Sequence, residues 1–376
     1  MDNEQVHILL EKYRSGTLSR EEKAILDNWY LTKASGMGPV LSDDELQQNL
    51  QQVREAVMGQ TKPRARRTYI WSAVAAALVA LVAVVWYLNR SQETTPPRSQ
   101  LQANQIDVQP GGNKAELILA DGRAIPLRPD QQGIEVQTAQ ITYMDGTVIV
   151  QGNWQGNHRI TIPKGGQYRV LLPDGTKVWL NAESSLSYPA RFDNGIREVE
   201  LEGEAYFDVA TANSARGNRI PFIVKTADQE ITVLGTAFNV SAYPDEVLTR
   251  TTLVHGKVRV LSPRRGSGVL LDPGQEALLS PEGIETRKAD IASATAWKDG
   301  KFKFNEAELK DVMGQLSRWY DIEVDYRGEI PKRYFYAVMS RDQTLNEVLG
   351  ILRESGVNFE IQTVEEEKRL IVYPPK

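Results

Sequence analysis

The sequence predicts a multidomain protein: a small all-α head, one transmembrane helix, an all-β domain and a C-terminal α+β domain with the order βαββαββ. Three observations predict it. The run from Ile70 to Leu88 carries no charge, and at about 1.5 Å per helical residue it comes close to the roughly 30 Å of a bilayer's hydrocarbon core. Beyond it, short stretches of alternating apolar and polar residues are punctuated by Asp-Gly pairs, the pattern of β-hairpins. After Trp297 the apolar period switches twice from that of a strand to that of a helix and back.

The head spans 1–69. Val6, Leu9, Leu10 and Tyr13, then Ile25, Leu26, Trp29 and Tyr30, fall at helical spacing. Ser19 with Glu22 and Ser42 with Glu45 form capping-box patterns that open a second and a third helix. So small a core is marginal alone, and burying one face against another protein would add stability. A self-contained three-helix bundle fits the same pattern, because a core stripe and a binding stripe look alike.

The span runs from Ile70 to Leu88, with Trp71 and Trp86 near its ends, where amphipathic rings favour the lipid–water interface. Lys62, Arg64, Arg66 and Arg67 precede it, whereas Arg90 alone follows closely. By the positive-inside rule the N-terminus faces the cytoplasm and the bulk of the chain lies outside it.

Residues 89–107, with paired prolines and no apolar period, read as a linker. The all-β domain follows over 108–293. "AELILADGRAIPL" and "YRVLLPDGTKVWL" each place Asp-Gly between apolar runs, and each follows a Gly-Gly pair, which suggests related hairpins. "REVELEGEAYFDVA" sets Glu198, Glu200, Glu202 and Glu204 at alternate positions, the mark of a solvated strand face. A sandwich, barrel or solenoid is implied. Over 294–376, Leu309, Val312, Met313, Leu316 and Trp319/Tyr320 recur at helical spacing. Leu345, Val348, Leu349 and Leu352 do so again behind a Thr344/Glu347 capping box.

Composition narrows the chemistry. The net charge of −5 leaves no footprint for direct nucleic-acid binding beyond the juxtamembrane basic cluster, which suits membrane lipid. There is no cysteine, so disulfides, thiolate metal sites and a Cys nucleophile are excluded. His7, His158 and His255 are scattered, and no HExxH, GxSxG or P-loop pattern occurs. No cofactor, no metal and no conventional enzyme activity are expected.

The stretches "KYRSGTLSREEKAILDNWY", "LPDGTKVWLNAESSLSYPARF", "VELEGEAYFDV", "ITVLGTAFNVSAY", "LDPGQEALL" and "WKDGKFKFNEAELKDVMGQLSRWYDIEV", in this order around an oriented span, resemble the FecR-type transmembrane anti-sigma factors in their Bacteroidetes form. The terminal domain resembles the secretin/TonB short N-terminal fold. The resemblance implies an inner-membrane regulator whose head binds an extracytoplasmic-function sigma factor. It also implies a periplasmic part that senses the signalling domain of a TonB-dependent outer-membrane receptor, with envelope proteases completing the signal and uptake genes as the output. On that reading Leu10, Leu26, Trp29 and Tyr30 are the sigma-factor contacts, although Trp29 would equally fill the head's own core. Trp319, Tyr320 and Phe335 are the receptor-contact candidates.

Some members of the family resemble self-cleaving proteins at the counterpart of Gly235-Thr236, where a hydroxyl attacks the preceding carbonyl. A strand bulge or close backbone approach accounts for that glycine as well. A competing function is a tethered glycan- or envelope-binding module using Trp154 and Trp179 as sugar platforms, but three amphipathic helices, two of them with capping boxes, are more than a tether needs.

Overall fold

The computed structural model describes residues 107–192, 195–328, 332–365 and 367–374. The head with Leu10, Leu26, Trp29 and Tyr30, the span Ile70–Leu88 and the linker up to residue 106 lie outside the described residues. No helix among those described is long and apolar enough to cross a membrane. The described residues fall within one compact unit running from Pro97 to Lys376, and it contains two hydrophobic cores.

The first core lies in a curled sheet of 19 strands, from Gly112–Asn113 to Gly283–Lys288. Its turns explain how the sequence builds it. At Asp121-Gly122, Asp145-Gly146 and Asp174-Gly175 the aspartate side chain accepts a hydrogen bond from the backbone N–H two residues on. The glycine then adopts φ of +86°, +87° and +85°, which only glycine takes without cost. The N–H of that glycine donates to the carbonyl three residues back, at Leu119, Tyr143 and Leu172. One hairpin chemistry is used three times, once more than the two stretches that sequence alignment picks out.

Strand Arg197–Asp208 ties the sheet together. Its first half pairs with Ser184–Pro189 and, in parallel, with Phe222–Lys225; its second half pairs with Lys177–Leu180 and Ala237–Ala242. The change of partners falls at Gly203, where φ is +86° and an added Cβ would stand 2.4 Å from Ser184 Oγ. Alternate residues Val199, Leu201, Ala205 and Phe207 point into the core, and the Phe207 ring stacks on Phe238 at 5.1 Å. Burial of such side chains, at about 25 cal/mol per Å² of apolar surface, is the main stabilising contribution. Strand pairing is secured by an ion pair beneath it: Arg197 Nη1 donates to Asp174 at 2.6 Å and to the Ala210 carbonyl, while Nη2 donates to the Ile220 carbonyl.

The second core has the order strand Lys301–Glu308, helix Leu309–Tyr320, strands Glu323–Tyr326 and Tyr334–Ser340, helix Leu345–Arg353, then strands Asn358–Val364 and Glu367–Tyr373. Both helices bury the stripe that their spacing predicts: Val312, Met313 and Leu316 on one, Val348, Leu349 and Leu352 on the other. The capping box of Thr344 and Glu347 forms as the sequence pattern requires.

Two expectations need correction. Trp319, Tyr320 and Phe335 are each only 3% exposed and belong to this second core, so they are not free to contact a receptor. A wide aromatic at the end of an amphipathic stripe fills the module's own interior, and periodicity cannot tell it from an interface anchor. The glutamate row is not uniformly solvated either. Glu200 and Glu202 are exposed, but the Glu204 carboxylate is enclosed by Asn181 and Asn239, because strand Arg197–Asp208 passes under the C-terminal unit at that end.

Candidate functional site

The most heavily built polar region joins the two cores. Asn181 Nδ2 donates to Glu204 at 2.7 Å and Asn239 Nδ2 donates to its other oxygen at 2.9 Å. Both asparagines pass the network on to the C-terminal unit. Trp297 Nε1 donates to Asn239 Oδ1, and Arg341 Nη2 donates to Asn181 Oδ1. Arg341, 3% exposed, also donates to the Trp297 carbonyl and lies 3.7 Å from the centre of the Trp319 ring. Glu204 and Arg341 therefore oppose each other through one amide rather than in direct contact. They border a cavity of about 240 Å³ that Ser241, Thr252 and Lys301 also line.

A second arginine locks the same seam. Arg318, on helix Leu309–Tyr320, holds both oxygens of Asp245 at 2.6 and 2.8 Å and Glu246 at 2.9 Å, and it packs 3.7 Å above the Tyr243 ring. Its carbonyl accepts from Gly165 N–H at 2.7 Å. The Lys164–Glu323 ion pair at 2.7 Å adds little, because both side chains meet solvent.

Charge follows burial here. Desolvation raises the Glu204 carboxyl above its ordinary value, against the pull of Asn239, Asn181 and Arg341. Burial brings the Arg341 guanidinium down to about 10. Glu246 is likewise raised by burial despite Arg318 and Arg250 beside it. Burial also works against the charge on Arg318, but Tyr243, Glu246 and Asp245 together hold it above its ordinary value. The two guanidiniums are themselves buried, so parting them from their acceptors is costly because each is left as a buried cation without its partner, even though Asp245 itself meets solvent.

Residues 289–299 are part of the seam. They form a short helix Ile291–Ala294 capped by Asp290 and a 3₁₀ turn Ala296–Asp299 that buries Trp297.

Comparison with known proteins then bears on what the region is. The family described as FecR protein matches residues 158–259, and the one described as FecR, C-terminal, matches 301–372. No curated protein matches the chain. Two crystal structures from Parabacteroides distasonis ATCC 8503, each of a candidate anti-sigma factor, are similar at 32% and 33% identity. Each covers 58% of this chain, which in turn covers 100% and 99% of theirs, both with a TM-score of 0.51. The chain belongs to the FecR family of anti-sigma factors. As a FecR protein it is a regulator of signal transduction whose partner, in general terms, is a sigma factor.

Within this FecR chain the remaining predicted positions are separate from the seam. Gly235 has φ of +150°, and Thr236, 4% exposed, donates its hydroxyl to the Lys257 carbonyl at 3.1 Å. That hydroxyl is committed to a carbonyl, and the glycine is where strand Ala237–Ala242 begins beside Thr211. The sugar-platform expectation needs correction: Trp154 is buried edge-on against His158, and one face of the half-buried Trp179 is covered by the Arg169 guanidinium at 4.8 Å. Sequence reasoning missed Arg318, Arg341, Asn181 and Asn239. The available signal was a lone Asn inside each of the apolar runs "VWLNA" and "AFNVSA", since an amide in a core strand needs a partner.

Proposed function

We propose that this chain is a membrane-spanning anti-sigma factor of the inner membrane, with its N-terminal head in the cytoplasm. The head binds an extracytoplasmic-function sigma factor through Leu10, Leu26, Trp29 and Tyr30. The outer part receives a signal from the periplasmic signalling domain of a TonB-dependent outer-membrane receptor, and envelope proteases complete the release that controls uptake genes. The observation that carries this reading is the match of both FecR families, in order, on the side of the apolar run away from the basic cluster.

With Trp319, Tyr320 and Phe335 buried, the receptor-facing surface passes to strand Tyr334–Ser340, which exposes Tyr334, Tyr336 and Val338 by 51%, 68% and 63%. Rigid aromatics on an exposed strand supply contact area at low entropic cost. A tethered glycan binder is disfavoured because Trp154 is buried and one face of Trp179 is already covered by the Arg169 guanidinium.

The test is recovery of a sigma factor from cells with the full chain in detergent as bait, read by mass spectrometry against Trp29→Ala. Recovery by the native chain and loss with the substitution supports the reading. Recovery of no sigma factor by the native chain would sink it.

A further inference from the structure

We propose that the C-terminal unit is a clasp closed on the chain's own lead-in, Asp107–Val108, so that loosening this unit frees the stretch leading back towards the apolar run. The link to a membrane rests on the reading above; the clasp itself rests on the contacts that follow.

Val108 is 4% exposed, and its side chain belongs to the C-terminal unit's core, with Leu345 and Tyr320, rather than to the core of the sheet that follows it in sequence. Leu345 N–H donates to the Val108 carbonyl at 3.0 Å. The Asp107 carboxylate accepts from Asn346 N–H at 3.1 Å and from Val108 N–H at 2.8 Å. A residue from the start of the described chain thus supplies an acceptor at the first turn of helix Leu345–Arg353, where unpaired N–H groups and the helix dipole favour a carboxylate.

The next residues leave the C-terminal unit for the sheet. An added Cβ at Gly111 would lie 2.8 Å from both the Gly165 carbonyl oxygen and the Trp319 ring, so no larger residue fits where the chain threads the seam. Gly112 N–H donates to the Gly165 carbonyl, and Gly112–Asn113 pairs in parallel with the strand beginning at Gly166. The two Gly-Gly pairs visible in the sequence therefore meet each other at this crossing.

Asp107 and Val108 contribute nothing to the sheet's core, so their order depends on the C-terminal unit being closed. The lead-in is held by one apolar side chain and two backbone-directed hydrogen bonds, a set small enough to open locally while the sheet stays folded. Anything that strains the C-terminal unit, a bound partner included, would then release Asp107 and Val108 from it.

The test uses the full chain in detergent micelles, with thermolysin cleavage before Ile106 and Val108 as the readout. Asp107→Ala, which removes the helix-end acceptor, is expected to speed cleavage roughly fivefold. Val348→Ala, in the C-terminal core and remote from the lead-in in sequence, is expected to speed it several-fold, whereas Leu271→Ala, equally buried in the sheet's core, should leave it within twofold. A disulfide between Asp107→Cys and Asn346→Cys, in a chain otherwise free of cysteine, should suppress cleavage at least tenfold relative to its reduced form. Equal acceleration by Leu271→Ala and Val348→Ala would overturn the proposal, because the lead-in would then follow global stability. So would cleavage unaffected by the disulfide. Neither result depends on whether a sigma factor is recovered with the chain, so the clasp and the proposed function can fail separately.

Discussion

Arg341→Ala tests whether the seam rests on a buried arginine. The substitution removes two hydrogen bonds from a charged donor, to Asn181 Oδ1 and to the Trp297 carbonyl, and the packing of the guanidinium on Trp319. Hydrogen bonds of this kind contribute about 1.5–3 kcal/mol each, and a desolvated cation–π contact about 2 kcal/mol. Several kcal/mol are recovered because the guanidinium no longer has to be dehydrated. A net loss of about 3 kcal/mol at the seam follows, equivalent to on the order of 100-fold in a local opening equilibrium. Hydrogen exchange by mass spectrometry on the full chain in detergent reads this directly. Peptides covering 334–345 and 296–300 should exchange on the order of 100-fold faster, while strand Phe222–Lys225, remote from the seam, stays within a few-fold. Burial already raises the Glu204 carboxyl, and with the opposing pull of Arg341 removed it should rise further. Exchange at the seam within twofold of the parent would refute the reasoning, because Arg341 would then contribute nothing to holding the two units together.

Other consequences follow from the same contacts. Asp174→Ala leaves Arg197, 3% exposed at its side chain, as a buried charge without its carboxylate, and should cost about 3–5 kcal/mol in urea unfolding. Adding Arg197→Met should recover part of that loss. His158 is fully buried, accepts a hydrogen bond from Ala120 N–H and has its pKa lowered by burial below 6.5. Below pH 6.5 the unfolded chain binds the proton that the folded one refuses, so the parent should lose stability as pH falls through that value. Glu204 and Glu246, raised by burial, act in the opposite sense. The readout is therefore the melting temperature difference between the parent and His158→Asn, which keeps an acceptor for Ala120. Because the Thr236 hydroxyl is engaged by the Lys257 carbonyl, the purified chain should stay whole during prolonged incubation; an intact-mass series showing a break between Gly235 and Thr236 would contradict this.

The local grammar of the fold was legible because it is written in short spacings. Asp-Gly pairs announced the turns, the capping box at Thr344 and Glu347 announced a helix start, and period 3.6 gave the buried stripes of both helices in the C-terminal unit. What joins the units was not legible. Trp319 and Tyr320 sit where a binding stripe would, and they become core only because Arg341 lies over Trp319 and Phe302 of strand Lys301–Glu308 stacks on Tyr320. Glu204 looked solvated because alternation says which face a residue occupies, not what covers that face. Arg318 and Arg341 gave no sign at all, since a buried arginine has the same sequence context as a surface one until its acceptors, 72 and 160 residues away, are in place. The threefold Asp-Gly hairpin lay between these extremes, for the copy at Asp145 lacks the preceding Gly-Gly pair.

The decisive measurement is the amount of sigma factor retained per full-length chain in isolated membranes, compared between the parent, Trp29→Ala and Arg341→Ala. If the chain relays an outer event to its head, the parent retains sigma factor, Trp29→Ala loses it at the contact, and Arg341→Ala loses it several-fold through a loosened seam, although its head is unaltered. Retention by Arg341→Ala equal to that of the parent, with exchange showing the seam open, would contradict the relay.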